Sequence, residues 1–210
     1  KANLDFGILG KKESCCGNEI RRMGEQALFK KLAKDNTNLF KKSGIKKIIT
    51  ISPHCFNAFK NEYPDLDIPV QHYTQVIADL IEAGKLKISK ALNLPTTYQD
   101  PCFLGKQNQI FDEPRKILTS IPGLEFAEME RSRERSLCCE GGGGRMWAEG
   151  GTEGTRNGEI RIKEAVALGA KVMATACPFC LLTLEDAVKI SGLTDQIAVK
   201  DITELIAEAM

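Results

Sequence analysis

A predicted strand runs directly into a predicted helix in the stretch Lys171-Val172-Met173-Ala174-Thr175-Ala176-Cys177-Pro178-Phe179-Cys180. We predict a strand over Lys171–Ala176 and a helix from about Phe179 to Lys189. Another helix is predicted before the strand, over Thr155–Leu168, and ends at Gly169, a residue type that commonly terminates helices. A strand that lies between two helices is the repeating unit of an α/β fold with a parallel sheet.

The same alternation covers the rest of the second half of the chain. Three more strands are predicted, over Leu94–Gln99, Leu124–Met129 and Ile197–Lys200. A helix is predicted over Asp112–Ile121, with Asp112 as a candidate cap. The last helix begins with a capping box, in which Asp201 and Glu204 are three residues apart. A loop is predicted over Glu149–Gly158.

Five cysteines follow the ends of these predicted strands: Cys102, Cys138, Cys139, Cys177 and Cys180. Because parallel sheets bind ligands outside the carboxyl ends of their strands, we expect the five sulfurs to converge in one crevice. Thiolates are soft ligands that suit iron–sulfur clusters and zinc. The glycines Gly141–Gly144 follow the vicinal pair and let backbone amides approach such a group. The sequence therefore predicts one thiolate site.

The first half of the chain repeats the second. Gly44–Cys55 aligns with Gly169–Cys180, Cys15-Cys16 aligns with Cys138-Cys139, and Thr74–Asp79 aligns with Thr203–Glu208. We therefore predict an α/β fold of two tandem pseudo-repeats, each a parallel sheet flanked by helices. The first domain would span residues 1–90 and the second residues 91–210.

The first repeat is incomplete. Ser52 stands where the second repeat has Cys177, and Leu4–Leu9 is predicted to be the strand equivalent to Leu124–Met129. Counterparts of Leu94–Gln99 and Cys102 would then lie before Lys1. We expect the first repeat to be truncated at its N-terminus, and the chain to be the carboxyl-terminal part of a longer polypeptide or a processed chain.

Composition excludes several classes of protein. A net charge of +1 gives no electrostatic basis for binding nucleic acid. No apolar run reaches the ~18 residues of a transmembrane helix, so any membrane association would come through another domain or subunit. A chain of 210 residues with 42% hydrophobic residues does not need disulfides to fold, although it has eight cysteines. We therefore expect a reducing, cytoplasmic location.

The cysteine pattern resembles the cysteine-rich (CCG) domain of heterodisulfide reductase B and D subunits. Related iron–sulfur subunits act with dehydrogenases and in electron-transfer-flavoprotein:quinone oxidoreductases. The phrases Ser52-Pro53-His54-Cys55 and Asp100-Pro101-Cys102-Phe103-Leu104-Gly105 are most similar to this last, membrane-oxidoreductase branch. The resemblance covers nearly the whole chain.

The resemblance implies a non-cubane [4Fe–4S] cluster, in which two iron–sulfur fragments share a bridging thiolate. The implied ligands are Cys102, Cys138, Cys139, Cys177 and Cys180. The sequence departs from the family at Glu140, where a glycine usually follows the vicinal pair.

The second site, in the first repeat, has only Cys15, Cys16 and Cys55. A fourth ligand from before Lys1, or from His54 or His72, would let these thiolates hold a zinc ion or a second iron–sulfur cluster. A structural role is the alternative for each of the two histidines.

The resemblance implies an iron–sulfur oxidoreductase module. It would take electrons from a flavoprotein or ferredoxin-type donor and pass them to a quinone or a disulfide, within a complex that includes other domains or subunits. Two alternatives stay open on the residues alone. One is a zinc-filled, non-catalytic scaffold, and the other is a thiol–disulfide oxidoreductase that uses the dithiol Cys177/Cys180.

Several side chains beside the cysteines have two interpretations. Trp147, Phe103 and Phe179 would either shield a cluster from water or pack in an ordinary core. Arg145 would either offset the charge of a cluster or form a surface ion pair.

Overall fold

The first repeat contains a small parallel sheet with four helices. The computed structural model describes residues 4–147 and 154–210. In chain order the elements are α1 (Asn18–Arg22), α2 (Gln26–Lys42), β1 (Ile48–Thr50), α3 (Pro53–Asn57), β2 (Val70–His72) and α4 (Tyr73–Glu82). A π-helical turn, Ala58–Glu62, continues α3. Strands β1 and β2 are parallel, and Thr50 pairs with His72.

The second repeat contains a four-stranded parallel sheet. Its elements are β3 (Leu94–Gln99), α5 (Asp112–Thr119), β4 (Leu124–Phe126), α6 (Asn157–Ala167), β5 (Val172–Thr175), α7 (Pro178–Ile190), β6 (Ala198–Asp201) and α8 (Ile202–Ala209). The strand order is β4-β3-β5-β6, and every neighbouring pair is parallel. The predicted fold class, an α/β protein with two parallel sheets flanked by helices, is confirmed.

The register of the second sheet brings the ends of two strands together. β3 and β5 lie side by side, and their last residues, Gln99 and Thr175, are paired. All four residues of β5 are buried, because helices cover both faces of the sheet. Met173 packs in the core on one face with Leu184, and Ala174 packs in the core on the other face with Leu205. The segments that carry Cys102 and Cys177 therefore leave the same edge of a rigid sheet.

Equivalent strands in the two repeats lead into equivalent helices. In the first repeat His72 ends β2 and caps α4 in a capping box with Gln75, and in the second Asp201 ends β6 and caps α8 in a capping box with Glu204. The register matches too, since Thr50 pairs with His72 and Thr175 pairs with Asp201. The duplication that the sequence predicts is therefore visible in the strand register.

The predicted strand Leu4–Leu9 is wrong. This segment is irregular, and Leu4, Phe6 and Ile8 are exposed. The physical reason is that a strand needs a neighbour: β4, its proposed equivalent, pairs only with β3, and the described part of the first repeat contains no counterpart of β3. An alternating apolar pattern alone does not make a strand.

The other differences are at element boundaries. Asp112 is the first residue of α5 rather than its cap, and Phe111 precedes it. β4 ends at Phe126, three residues earlier than predicted. Of the loop predicted over 149–158, positions 149–153 lie outside the described residues. Its last two positions belong to α6, which begins at Asn157. No helix in the described part of the chain is long and apolar enough to cross a membrane.

Candidate metal centre

The structure brings all five predicted cysteines of the second repeat together. The side chain of Cys102 hydrogen-bonds to Cys138, which in turn hydrogen-bonds to its neighbour Cys139. The Cys180 thiol lies 3.1 Å from the Cys139 sulfur and also contacts Cys177. Five thiols from three separate segments thus form one unbroken line of contacts at the carboxyl edge of the sheet.

The contacts polarise these thiols unequally. Hydrogen bonds from Cys102 and Cys139 lower the pKa of Cys138 to about 2, and the same Cys102–Cys138 contact raises the pKa of Cys102. Burial raises the pKa of Cys177, but hydrogen bonds from Cys180 and His54 outweigh it and bring this pKa down to about 5. The contacts therefore stabilise negative charge on the sulfurs of Cys138 and Cys177, as a thiolate ligand requires, whereas the pKa values of Cys102, Cys139 and Cys180 are raised.

The donor set suits a group larger than one ion. In residues 4–147 and 154–210, no three histidine, cysteine or acidic side chains are arranged to hold a single metal ion. A structural zinc ion takes four ligands in a closed tetrahedron. Five soft sulfurs spread along a line match the chemistry of an iron–sulfur cluster.

Both vicinal pairs have the same backbone geometry. The residue after each pair has a left-handed φ, +77° at Gly17 and +64° at Glu140. The amide of each donates to the first cysteine of its pair, Gly17 to Cys15 and Glu140 to Cys138, at 3.3 Å in both cases. The next amide in each repeat, Asn18 or Gly141, hydrogen-bonds to the second cysteine. The two repeats therefore hold the sulfurs of their vicinal cysteines with the same backbone turn.

Glu140, the departure from the family pattern, has a structural explanation. Its φ of +64° is the conformation that favours glycine and costs another residue about 1 kcal/mol. The residue is only 8% exposed. Its carboxylate accepts hydrogen bonds from the Asn157 amide at 3.2 Å and from Arg145 at 3.1 Å. Arg156 lies 3.5 Å away. Arg145 thus forms an ion pair with Glu140, and the pair closes the turn beside Cys138.

The glycine loop, Gly141–Gly144, makes fewer hydrogen bonds to the thiols than the sequence predicts. A Cβ on Gly142 would lie 2.5 Å from Cε1 of His54, which excludes a side chain there, and one on Gly141 would lie 3.0 Å from the Phe179 carbonyl oxygen, which leaves little room. The amides of Gly143 and Gly144 donate to the Glu19 carboxylate. Within residues 140–144, the amides of Glu140 and Gly141 donate to sulfur, and those of Gly143 and Gly144 join the two repeats.

Sequence analysis missed Gln99, the residue that holds the vicinal pair in place. Gln99 is the last residue of β3, and its side-chain amide donates to the carbonyl oxygen of Leu137 at 2.9 Å and to Ser136 Oγ at 3.3 Å. Its side-chain oxygen accepts from Arg161 Nε at 2.6 Å. A polar residue that ends an otherwise buried strand is the signal that could have identified it.

A buried ion pair next to Cys102 was also missed. Asp100 accepts two hydrogen bonds from Arg115, at 2.8 and 2.9 Å, and one from the Arg133 amide at 2.8 Å. Arg115 also binds Glu128, which follows β4. These contacts join the end of β3 to α5 and to the segment that leads to Cys138. The motif Asp100-Pro101-Cys102 draws attention to Asp100, but the neighbouring sequence does not predict Arg115 as its partner.

Aromatic side chains cluster around His54 beside the thiols. Phe103 and Phe179, each next to a site cysteine, contact the ring of His54 at centroid distances of 4.5 and 4.6 Å. Trp147 meets Phe179 edge-on at 6.0 Å and is 66% exposed. Phe179 therefore packs against the core that holds Cys139, Cys177 and Cys180, whereas Trp147 lies on the solvent side of Phe179.

The first repeat brings its three cysteines together as well. Cys16 hydrogen-bonds to both Cys15 and Cys55, and Cys55 hydrogen-bonds to Ser52. Neither histidine completes this set. His72 is fully buried, and its Nδ1 contacts Thr74 Oγ1 at 2.8 Å, in keeping with a structural role. His54 hydrogen-bonds to Cys177 of the second repeat.

A duplicated α/β fold with thiols at its sheet edges defines a thiolate metalloprotein domain. The chain belongs to the CCG family, the cysteine-rich domain, whose family model matches residues 1–60 and 96–185. The resemblance noted from the cysteine pattern is confirmed.

The whole chain is similar to parts of larger redox proteins. It is 44% identical to the probable iron-sulfur-binding oxidoreductase FadF of Bacillus subtilis and 39% identical to the EtfAB:quinone oxidoreductase of Syntrophomonas wolfei, and it covers 30% of each. It is 39% identical to a dihydromethanophenazine:CoB--CoM heterodisulfide reductase polypeptide of Methanosarcina barkeri, of which it covers 53%. The chain therefore spans between about a third and about half of these relatives, which are oxidoreductases or reductases by name, and the Bacillus subtilis protein is named as iron–sulfur-binding.

Proposed function

We propose that this chain is the electron-transfer module of an iron–sulfur oxidoreductase. In this proposal Cys102, Cys138, Cys139, Cys177 and Cys180 hold a non-cubane [4Fe–4S] cluster. The observation that carries the proposal is the unbroken line of contacts among these five thiols at the edge of the second sheet. When bound, the cluster supplies reversible electron transfer.

The residues of the chain do the binding and the shielding. The line of thiols supplies five sulfurs, and the amides of Glu140 and Gly141 donate to the sulfurs of Cys138 and Cys139. Amide donors offset the negative charge that gathers on thiolates and thereby tune the potential of a cluster. Phe103 and Phe179 exclude water from one side of the site, which strengthens these interactions.

The names of the relatives support a proposal for the electron donor and the electron acceptor. One is an oxidoreductase of EtfAB and quinone, and another belongs to a heterodisulfide reductase. The proposed donor is accordingly a flavoprotein or a ferredoxin-type cluster, and the acceptor is a quinone or a disulfide. Other domains or subunits on the cytoplasmic side of a membrane would complete the complex.

The dithiol alternative is less well supported. A thioredoxin-type pair acts as two isolated thiols. Cys180 instead also contacts Cys139, and Cys177 also contacts His54. The Cys177/Cys180 pair is thus part of a larger set of sulfurs.

The first repeat supports a smaller proposal. With residues 1–90 and 91–210 as two domains, the thiols of Cys15, Cys16 and Cys55 form a second site that holds zinc or a second cluster. Its support is the contact of Cys16 with both other thiols. Ser52 takes the position of the missing thiol and contacts Cys55, so a metal here needs a fourth ligand from elsewhere.

The test is metal analysis after anaerobic purification of the full-length natural polypeptide. We expect iron, acid-labile sulfide and broad visible absorption. Cys139→Ala should remove the iron of the second repeat. Cys16→Ala is the matched control, because Cys16 is the equivalent residue of the first repeat and has the same 6% exposure. It should leave that iron in place and remove only a metal held by the first site.

Three outcomes would contradict the main proposal. Zinc without iron would favour the scaffold, and activity without either metal would favour the dithiol. A normal iron content in Cys139→Ala would overturn the assignment of the five ligands.

A further inference from the structure

One side chain of the first repeat lies inside the site of the second repeat. His54, which belongs to α3, is 4% exposed and lies between the rings of Phe103 and Phe179. Gly142 lies against its other edge, where a Cβ would come within 2.5 Å of Cε1. The imidazole hydrogen-bonds to the side chain of Cys177. These contacts with Phe103, Phe179 and Gly142 confine the ring.

A carboxylate orients the imidazole. Nδ1 of His54 lies 2.6 Å from Oε1 of Glu19, and Asn18 Nδ2 donates to the same oxygen at 2.7 Å. Because Nδ1 is engaged by Glu19, Nε2 is the nitrogen that remains for Cys177. Glu19 is itself held by the amides of Gly143 and Gly144 from the second repeat. A carboxylate behind a histidine fixes both the direction and the tautomer of its ring.

The equivalent positions of the two repeats differ in a way that suits this role. His54 is the counterpart of Phe179, and Ser52 is the counterpart of Cys177. The first repeat thus lacks the thiol at position 52, and two residues later it carries a polar ring that reaches the thiol of its partner repeat. This contact joins segments that are more than 120 residues apart.

We infer that His54 is a positioning residue of the second-repeat site, donating a hydrogen bond from Nε2 to the sulfur of Cys177. This inference rests on the proposed function. The hydrogen bond stabilises the negative charge that an added electron places on the sulfur of Cys177. In this way the first repeat contributes to electron transfer whether or not its own three thiols hold a metal.

A donor to a thiolate in a buried site favours the reduced state. Loss of one charge-assisted hydrogen bond should change the one-electron equilibrium constant about tenfold, which corresponds to about 59 mV. The midpoint potential should therefore fall when the donor is removed and return when another donor replaces it.

The experiment compares His54→Leu, which removes the donor, with His54→Gln, whose amide restores one. Both are made in the full-length natural polypeptide and purified anaerobically. The signal of the second-repeat site is isolated as the difference from Cys139→Ala, and its midpoint potential is measured by redox titration with iron analysis alongside. We expect His54→Leu to keep its iron with reduction about tenfold less favourable, and His54→Gln to stay close to the natural protein.

Other results overturn the inference. A natural potential in His54→Leu, or an equal fall in both variants, would exclude the donor role. If His54→Leu loses iron, His54→Gln decides: iron with the natural potential supports the role, and a lowered potential or lost iron overturns it. Absence of an iron–sulfur signal in the natural protein would instead overturn the proposed function.

Discussion

Nε of Arg161 donates a 2.6 Å hydrogen bond to the side-chain oxygen of Gln99, and both residues are almost completely buried. The arginine is on α6, and the glutamine is at the end of β3. Burial lowers the pKa of Arg161 to about 10. The contact leaves the amide nitrogen of Gln99 free to hold the segment before Cys138, so a helix on one face of the sheet indirectly fixes the vicinal pair.

Replacement of Gln99 by leucine should therefore destabilise the fold and loosen the thiolate site together. The change removes the donor to Leu137 and leaves Arg161 with Glu164 as its remaining side-chain partner. Unsatisfied buried groups of this kind cost about 2–4 kcal/mol. Urea unfolding measures the loss, and iron analysis measures the site. Gln107→Leu, at an exposed position, is the control and should change neither. An unchanged unfolding midpoint in Gln99→Leu would contradict this role.

The buried pair of Asp100 and Arg115 predicts a larger loss. Asp100→Asn keeps the shape of the side chain but removes the charge that two arginine nitrogens share, and breaking one side of a buried pair costs about 3–5 kcal/mol. Chemical denaturation should show this as a lower midpoint with the same slope. The neighbouring Lys116 pairs with Glu82 at the surface, so Lys116→Ala is a charge-removing control with no measurable effect. Equal effects of the two changes would exclude a special role for the buried pair.

Features set by residues close together in the sequence were predictable, and features set by contacts between distant residues were not. The bounds of β3 and the convergence of the cysteines follow from strand ends, which local sequence marks. Leu4–Leu9 has the local pattern of a strand. Whether such a segment forms a strand depends on a neighbouring strand to pair with, which local sequence does not show.

Long-range polar contacts leave no comparable trace in the sequence. The partners of Gln99 and of Asp100 lie 62 and 15 residues away, and those of His54 are Glu19 and Cys177. Each of these side chains is an ordinary polar residue by sequence. The convergence of thiols was therefore predictable, while the residues that hold them in place required the fold.

A single methyl group at Gly142 should disturb the contact between the repeats. The Cβ of Gly142→Ala would lie 2.5 Å from Cε1 of His54, so either the imidazole or the loop must shift. We expect a loss of about 1–3 kcal/mol in unfolding free energy from this overpacking. Gly7→Ala is the control, since no atom lies within 4 Å of its new Cβ. Thermal unfolding of the two variants should separate clearly, and coincident curves would mean that His54 is not confined as described.

The depressed pKa of His72 predicts a specific loss of stability in acid. Burial lowers the pKa of His72 to about 3 from 6.5, so the folded protein binds fewer protons than the unfolded chain between these values. The contribution of His72 is complete above about pH 6.5 and is lost as the pH falls toward 3, at up to about 1.4 kcal/mol per pH unit.

Between pH 7 and pH 5 this amounts to about 2 kcal/mol. His72→Asn removes the titrating ring but keeps an oxygen that can accept the Thr74 amide at the start of α4, as His72 does. His54 is present in both proteins, so its own titration cancels in the comparison. Urea unfolding at several pH values should therefore show a flatter acid limb for His72→Asn, and parallel pH profiles would contradict the assignment.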